Sequence, residues 1–195
     1  MTQHNPNLEQ VSNTAATNDA TSNLSAATET LLQAVEVQTE RLAERQRQIS
    51  ARIQIPHTIE EVWQVLTDYE TLADFIPNLA RSQRLEHPTG GIRLEQVGTQ
   101  RLLNFNFSAR VILDLEERFP QEISFQMIEG DFKDFSGSWC LEPLLAQQVG
   151  TNLKYIVRVL PKRTMPISLI ERRLSRDMQT NLVAIHQRVA TLFAS

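Results

Sequence analysis

The chain has 195 residues, 41% of them apolar, and a formal charge of −4. This composition supports one sizeable core, excludes wholesale disorder and argues against a general nucleic-acid binder, which carries a basic surface. No run reaches the roughly 18–20 apolar residues of a membrane-spanning helix, and Cys140 stands alone, which excludes an internal disulfide or a multi-cysteine zinc site. The start, MTQHNPNLEQ, has neither the basic nor the apolar stretch of a secretory signal. The expected location is a reducing cytoplasm. Residues 1–45 hold six acids against two bases and the remainder is balanced at seventeen of each, so the N-terminal arm supplies the whole imbalance.

Residues 1–28 are rich in Asn, Thr, Ser, Ala and Gln without apolar periodicity, and are expected to be a disordered arm. Residues 29–48 read two ways: Leu31, Leu32, Val35 and Leu42 fit a helix loosely, and Val35, Val37 and Thr39 alternate like a strand or hairpin. From residue 49 to 195 the pattern is that of one domain. ISARIQI alternates up to Pro56 and predicts a strand. Thr58 and Glu61 form a T-x-x-E capping box that opens a helix through Val62, Val65 and Leu66. A second short helix is predicted over Tyr69–Phe75.

Strands follow at Ala80–Glu86 and Ile92–Gly98, separated by the turn HPTGG, and then a long one from Leu102 to Glu116. In it Leu103, Phe105, Phe107, Ala109, Val111, Leu113 and Leu115 share one face, which predicts an antiparallel strand buried on that side. Further strands are predicted at Glu122–Ile128, Phe132–Glu142 and Asn152–Leu160, with Ile123, Phe125, Met127, Leu153, Tyr155, Val157 and Val159 inward. A long helix closes the chain from Pro166 to Phe193, with Ser168 and Glu171 as a competing capping box. Its apolar stripe runs Ile167, Ile170, Leu174, Met178, Leu182, Ile185, Val189, Leu192. Consecutive short-linked strands make a meander, and the long helix is the element able to cover its concave face. The expected class is α+β: a curved antiparallel sheet wrapped around a C-terminal helix.

Three stretches, VWQVLTDYETLADFIPNL (62–79), EGDFKDFSGSW (129–139) and MPISLIERRL (165–174), resemble the polyketide cyclase/dehydrase branch of the START and birch-pollen-allergen superfamily, close to its coenzyme Q-binding group. The resemblance runs from about Val35 to Val189 and implies the helix-grip fold. It does not choose among the lipid carriers, cyclases, receptors and quinone-binding proteins that share that scaffold.

Catalytic signatures are weak. His4, His57, His87 and His186 have no metal-ligand spacing, and no metal or cofactor is expected. Cys140 reads as structural, Gly90-Gly91 as a hairpin turn, and Glu129, Asp131 and Asp134 as turn residues. Binding reads better. Phe105, Phe107, Val111, Leu113, Phe125, Met127 and Tyr155 on the sheet face Leu174, Met178, Leu182 and Ile185 on the helix, and these either fill a core or wall a pocket for an apolar small molecule. Phe135 and Trp139 are candidates for the rim, their direction depending on a bulge near Gly137. Lys162, Arg163, Arg172, Arg173 and Arg176 cluster beside Met165-Pro166-Ile167, as membrane-surface contacts or as a solvated helix face.

The leading expectation is a non-enzymatic carrier of a lipid or isoprenoid quinone, the ligand class following from the resemblance. The alternatives are a cyclase or dehydrase, which requires inward polar groups near Tyr155, and a protein-interaction module of the START-like toxin/ribosome-associated type. The last expects a filled core and an outer patch at Leu102, Ile112, Ile156 and Leu160.

Overall fold

A computed structural model describes residues 25–102, 105–144 and 149–194, the backbone alone at 100–102 and 105–107. Two compact units divide it between Ala34 and Val35. In the first, the described residues form helix α1 over 25–34, where Thr30 Oγ1 donates to Ala26 O at 2.9 Å. The helix thus includes residues 25–28 of the segment expected to lack structure. Residues 29–48 realise both readings in turn, helix up to 34 and strand from Glu36.

The second unit is one eight-stranded antiparallel sheet and three helices. The strands are β1 (Glu36–Arg41), β2 (Arg47–Ile55), β3 (Leu79–Leu85), β4 (Ile92–Leu102), β5 (Phe105–Arg118), β6 (Glu122–Gly130), β7 (Asp134–Pro143) and β8 (Thr151–Leu160). The helices are α2 (Ile59–Thr67), α3 (Leu72–Phe75) and α4 (Ile167–Leu192). The sheet order is β1-β2-β8-β7-β6-β5-β4-β3, so the meander β3 to β8 ends beside β2, and β1 extends the edge. The curved sheet holding α4 is the helix-grip fold.

Local chemistry sets the boundaries. Thr58 Oγ1 accepts from Glu61 N at 3.3 Å and Glu61 Oε2 accepts from Thr58 N at 2.9 Å, completing the capping box that opens α2. The second short helix is briefer than predicted, with Tyr69 in the turn before it. The predicted strand from Leu102 is two strands: Leu102 closes β4, opposite Phe105 of β5, and residues 103 and 104 lie outside the described residues. The second capping box does not form. Pro166 caps α4 without a side-chain bond, and Glu171 accepts instead from Arg47 Nε at 2.9 Å. At the far end the apolar stripe stops at Val189, and Leu192 is exposed.

Parity is decided by register. Phe135, Gly137, Trp139 and Leu141 lie opposite Val159, Val157, Tyr155 and Leu153 with no break. No bulge interrupts β7 at Gly137, so Phe135 and Trp139 share the inward face with Tyr155. The break lies in β6, where the register with β5 shifts between Ile112 and Leu113 and leaves Ile128 exposed. Ile112, expected to belong to an outer patch, is buried, and Ile156 and Leu160 are only part-exposed; the Leu102 side chain lies outside the described residues.

Candidate functional site

A cavity of about 200 Å³ lies between the sheet and α4. The sheet contributes Leu94, Ala109, Val111, Leu113, Leu115, Ile123 and Phe125, followed by Phe135, Trp139 and Tyr155. Leu66, Tyr69, Leu72 and Ile76 close one side from α2, α3 and the residues flanking α3, and α4 supplies Ile170, Arg173, Leu174, Asp177 and Asn181.

One wall is aromatic. Trp139 and Tyr155, directly opposite across β7 and β8, stack with ring centres 3.6 Å apart and planes 2° from parallel. Phe125 sits 5.8 Å from Phe135 and 6.2 Å from Tyr155. Phe132 stacks on Phe135 at 5.4 Å. Gly137 makes this closeness feasible: a side chain there would collide with the Ile156 carbonyl and the Phe125 ring. The rim candidates Phe135 and Trp139 are therefore wall residues.

The other candidates divide. Val111, Leu113, Phe125, Tyr155 and Leu174 line the cavity. Met178, Leu182 and Ile185 are fully buried but pack in the core, away from it. The physical reason is that these side chains are surrounded by the buried core and not by empty space, α4 being packed on β2 and α2 as well as bordering the cavity. Met127 shares the inward face yet misses the cavity, because its sulfur lies over Gly130. The Phe105 and Phe107 side chains lie outside the described residues.

The helix side of the cavity is polar, which the stripe analysis missed. Arg173, grouped above with the surface cations, has a side chain only 11% exposed and lies 3.5 Å from Asp177. Four-residue spacing, 173, 177, 181, was the available signal: it places three polar side chains on one line beside the apolar stripe. Asn78 Nδ2 donates to Asp177 Oδ1 at 3.3 Å. Burial raises the Asp177 carboxyl above the ordinary carboxylate range, against the lowering effect of Arg173 and Arg176. The Tyr155 hydroxyl is pushed up by burial and by the nearby Asp177 charge. The Tyr69 hydroxyl is pushed up by burial and by its 2.6 Å bond to Glu117.

Elsewhere, most reactive side chains have structural partners, the buried His186 Nδ1 being an exception. His57 Nδ1 lies 3.2 Å from Glu61. His87 Nδ1 accepts from the Gly91 amide at 3.0 Å within its turn. His186 is held below its usual range by burial and by His57; His4 lies outside the described residues. Glu129 pairs with Arg110 at 2.6 Å, Asp131 accepts from the Arg110 amide at 2.7 Å, and Asp134 accepts from Gln126 at 2.9 Å. Among the described residues no group of three or more acidic, His or Cys side chains is arranged to hold a metal. Cys140 lies 3.4 Å from Ser138 Oγ. Of the cationic cluster, Lys162, Arg163, Arg172 and Arg176 are exposed.

A curved antiparallel sheet gripping a long C-terminal helix, with a cavity between them, defines a START-like protein. The profile of the family "Polyketide cyclase / dehydrase and lipid transport" matches residues 55–183, and the chain belongs to that family. Among curated proteins no sequence match is found. A START superfamily protein from Mycobacterium smegmatis superposes with a TM-score of 0.63 at 17% identity, covering 74% of this chain and 98% of the other. The Zhui aromatase/cyclase from Streptomyces gives 0.61 at 16% identity, covering 74% and 93%. A STAR-related lipid transfer protein from Xanthomonas axonopodis gives 0.57 at 15% identity, covering 78% and 98%. At these identities the likeness shows the fold alone. Among the described residues no helix is long and apolar enough to cross a membrane.

Proposed function

We propose that the protein binds an apolar small molecule of the lipid or isoprenoid-quinone class in the cavity between sheet and α4, and presents it at a membrane surface. The observation that carries this reading is the cavity itself, a partly open space walled mostly by apolar and aromatic side chains, with Arg173, Asp177 and Asn181 on its helix side. Native extraction tests it. Organic extracts of the protein from its own host are compared by mass spectrometry with those of Ala109→Phe, which fills the cavity from β5. An apolar compound enriched in the first and absent from the second is expected; identical, empty extracts from an open cavity overturn the carrier.

The membrane step rests on exposed Lys162, Arg163, Arg172 and Arg176 beside exposed Leu169, on the turn before α4 and its first turns. Reversing Arg172 and Arg176 to Glu is expected to abolish low-salt co-sedimentation with anionic vesicles. Unchanged co-sedimentation removes the membrane from the proposal.

A second reading, a cyclase or dehydrase, is favoured by Asp177, an acid of raised pKa facing the cavity beside Tyr155. It predicts that a linear poly-β-ketone incubated with the protein gives a product lighter by one water, and that Asp177→Asn abolishes this. The interaction module expects a filled core, which the cavity does not favour.

A further inference from the structure

Gly98 has no backbone or packing reason to be glycine, unlike the other five glycines of the chain. Gly90 holds a positive φ, and at 91, 130, 137 and 150 an added side chain would meet a neighbour at 3.1 Å or less. Gly98 lies inside β4 with no positive φ. Among the described residues, the atoms nearest to an added Cβ are the carbonyl oxygens of Asn78 and Ala109, at ordinary contact distances of 3.7 and 3.9 Å. The nearby register shift places its extra residue, Ala80, in β3 and leaves β4 regular. A glycine inside a strand costs stability relative to alanine, and one that neither backbone nor packing requires is a place where a ligand can come close. Here the space belongs to the cavity: Gly98 and Ala109 stand directly opposite one another, and both line it.

The place of this gap in the sheet sets a shape. Tyr155 lies on β8 and Gly98 on β4, at opposite ends of the cavity's sheet wall. Four strand spacings separate them, about 19 Å measured along the curved sheet. At the β8 end the stacked Trp139 and Tyr155 offer an aromatic surface to a ring. At the β4 end the wall is bare backbone at Gly98 and a single methyl at Ala109, a slot suited to a slender chain. We infer that Gly98 is a specificity-determining position, which with Ala109 makes room for the chain of an elongated apolar ligand whose ring rests at Trp139 and Tyr155. This inference rests on the binding function proposed above and adds the shape of the ligand.

The test uses the full chain and two probes with the same ring and different chains, 4-ethylphenol and 4-octylphenol, titrated by calorimetry at one pH. The wild type is expected to prefer the octylphenol. Gly98→Ala is expected to weaken octylphenol binding about fourfold, the worth of roughly one methylene kept out of the cavity, and Gly98→Val by about tenfold or more. Ethylphenol, held at the aromatic end, is expected to bind both variants as it binds the wild type. Gly98→Ala is also expected to melt no lower than the wild type, an outcome that a structural glycine would not give. Should Gly98→Val fail to fold, Gly98→Ala carries the comparison. Equal binding of the two phenols by the wild type overturns the inference and leaves the binding function standing. Octylphenol binding unchanged in the variants, or weakened no more than that of ethylphenol, overturns it too, as does a clear fall in the melting temperature of Gly98→Ala. If the wild type binds neither phenol, the binding reading fails, and this inference with it.

Discussion

Replacing Leu182 with alanine, and separately Leu174, distinguishes the packed part of α4 from the part that walls the cavity. Leu182 is wholly buried and lies outside the cavity, so its truncation removes contacts on every side. Such a change in a packed core costs about 3 kcal/mol, from the lost transfer energy together with the void it leaves. Leu174 already borders empty space, where its methyls have no neighbours to lose. Its truncation enlarges an existing cavity and should cost about 1 kcal/mol. For a domain of this size these costs correspond to melting-temperature falls of roughly 6–12 °C and 2–4 °C. Urea titration with a fixed slope gives the free energies directly. Binding of an apolar probe should change in Leu174→Ala and not in Leu182→Ala. Equal losses of stability, or a probe that responds to Leu182 alone, would refute the division of the helix.

Gly137→Ala should lower stability by about 2–3 kcal/mol by urea titration, since the added carbon meets the Ile156 carbonyl and the Phe125 ring; a neutral effect would contradict the close packing of β7 on its neighbours. Thr58→Ala should cost about 1 kcal/mol through the lost cap on α2. The Glu61 carboxyl is held below its ordinary range chiefly by the Thr58 amide. Its contribution is therefore full above pH 4.5 and lost as pH falls through the lower native pKa, and melting curves of Glu61→Gln and wild type should converge in acid. Asp177 has the opposite sign. Its native pKa is raised by burial, so the unfolded chain releases that proton first and stability falls as pH rises from about 4 through the native pKa. Asp177→Asn should gain on the wild type in melting temperature between pH 4 and pH 8, and a pH-independent difference would exclude the buried carboxyl as the cause.

Much of the fold was legible because its signals are local. The capping box at Thr58, the alternation in β8 and the helical stripe of α4 each name an element and its inward face. The boundary at 102–105 was not legible, since Leu102 to Leu115 alternates as well across two strands as along one. The site was only half legible. A stripe of Leu174, Met178, Leu182 and Ile185 carries no mark of which side chains have neighbours and which face a void; that depends on how the other elements pack around the helix. Arg173 misled for a related reason. Its charge suggests solvent, whereas a buried ion pair with Asp177 allows it to lie inside.

The family-matched segment begins at Ile55, the last residue of β2. Yet β2 is an interior strand, paired to β1 on one side and to β8 from Thr151 to Val159 on the other. A fragment trimmed to residues 55–183 would strip the cover from β8 and leave its row of amides and carbonyls open beside Leu153, Val157 and Val159. Such an edge recruits another copy of itself, and aggregation would follow. It would also discard Ile185 and Val189, which hold the second half of α4 in the core. Recombinant work on this protein should therefore keep everything from Val35 onwards.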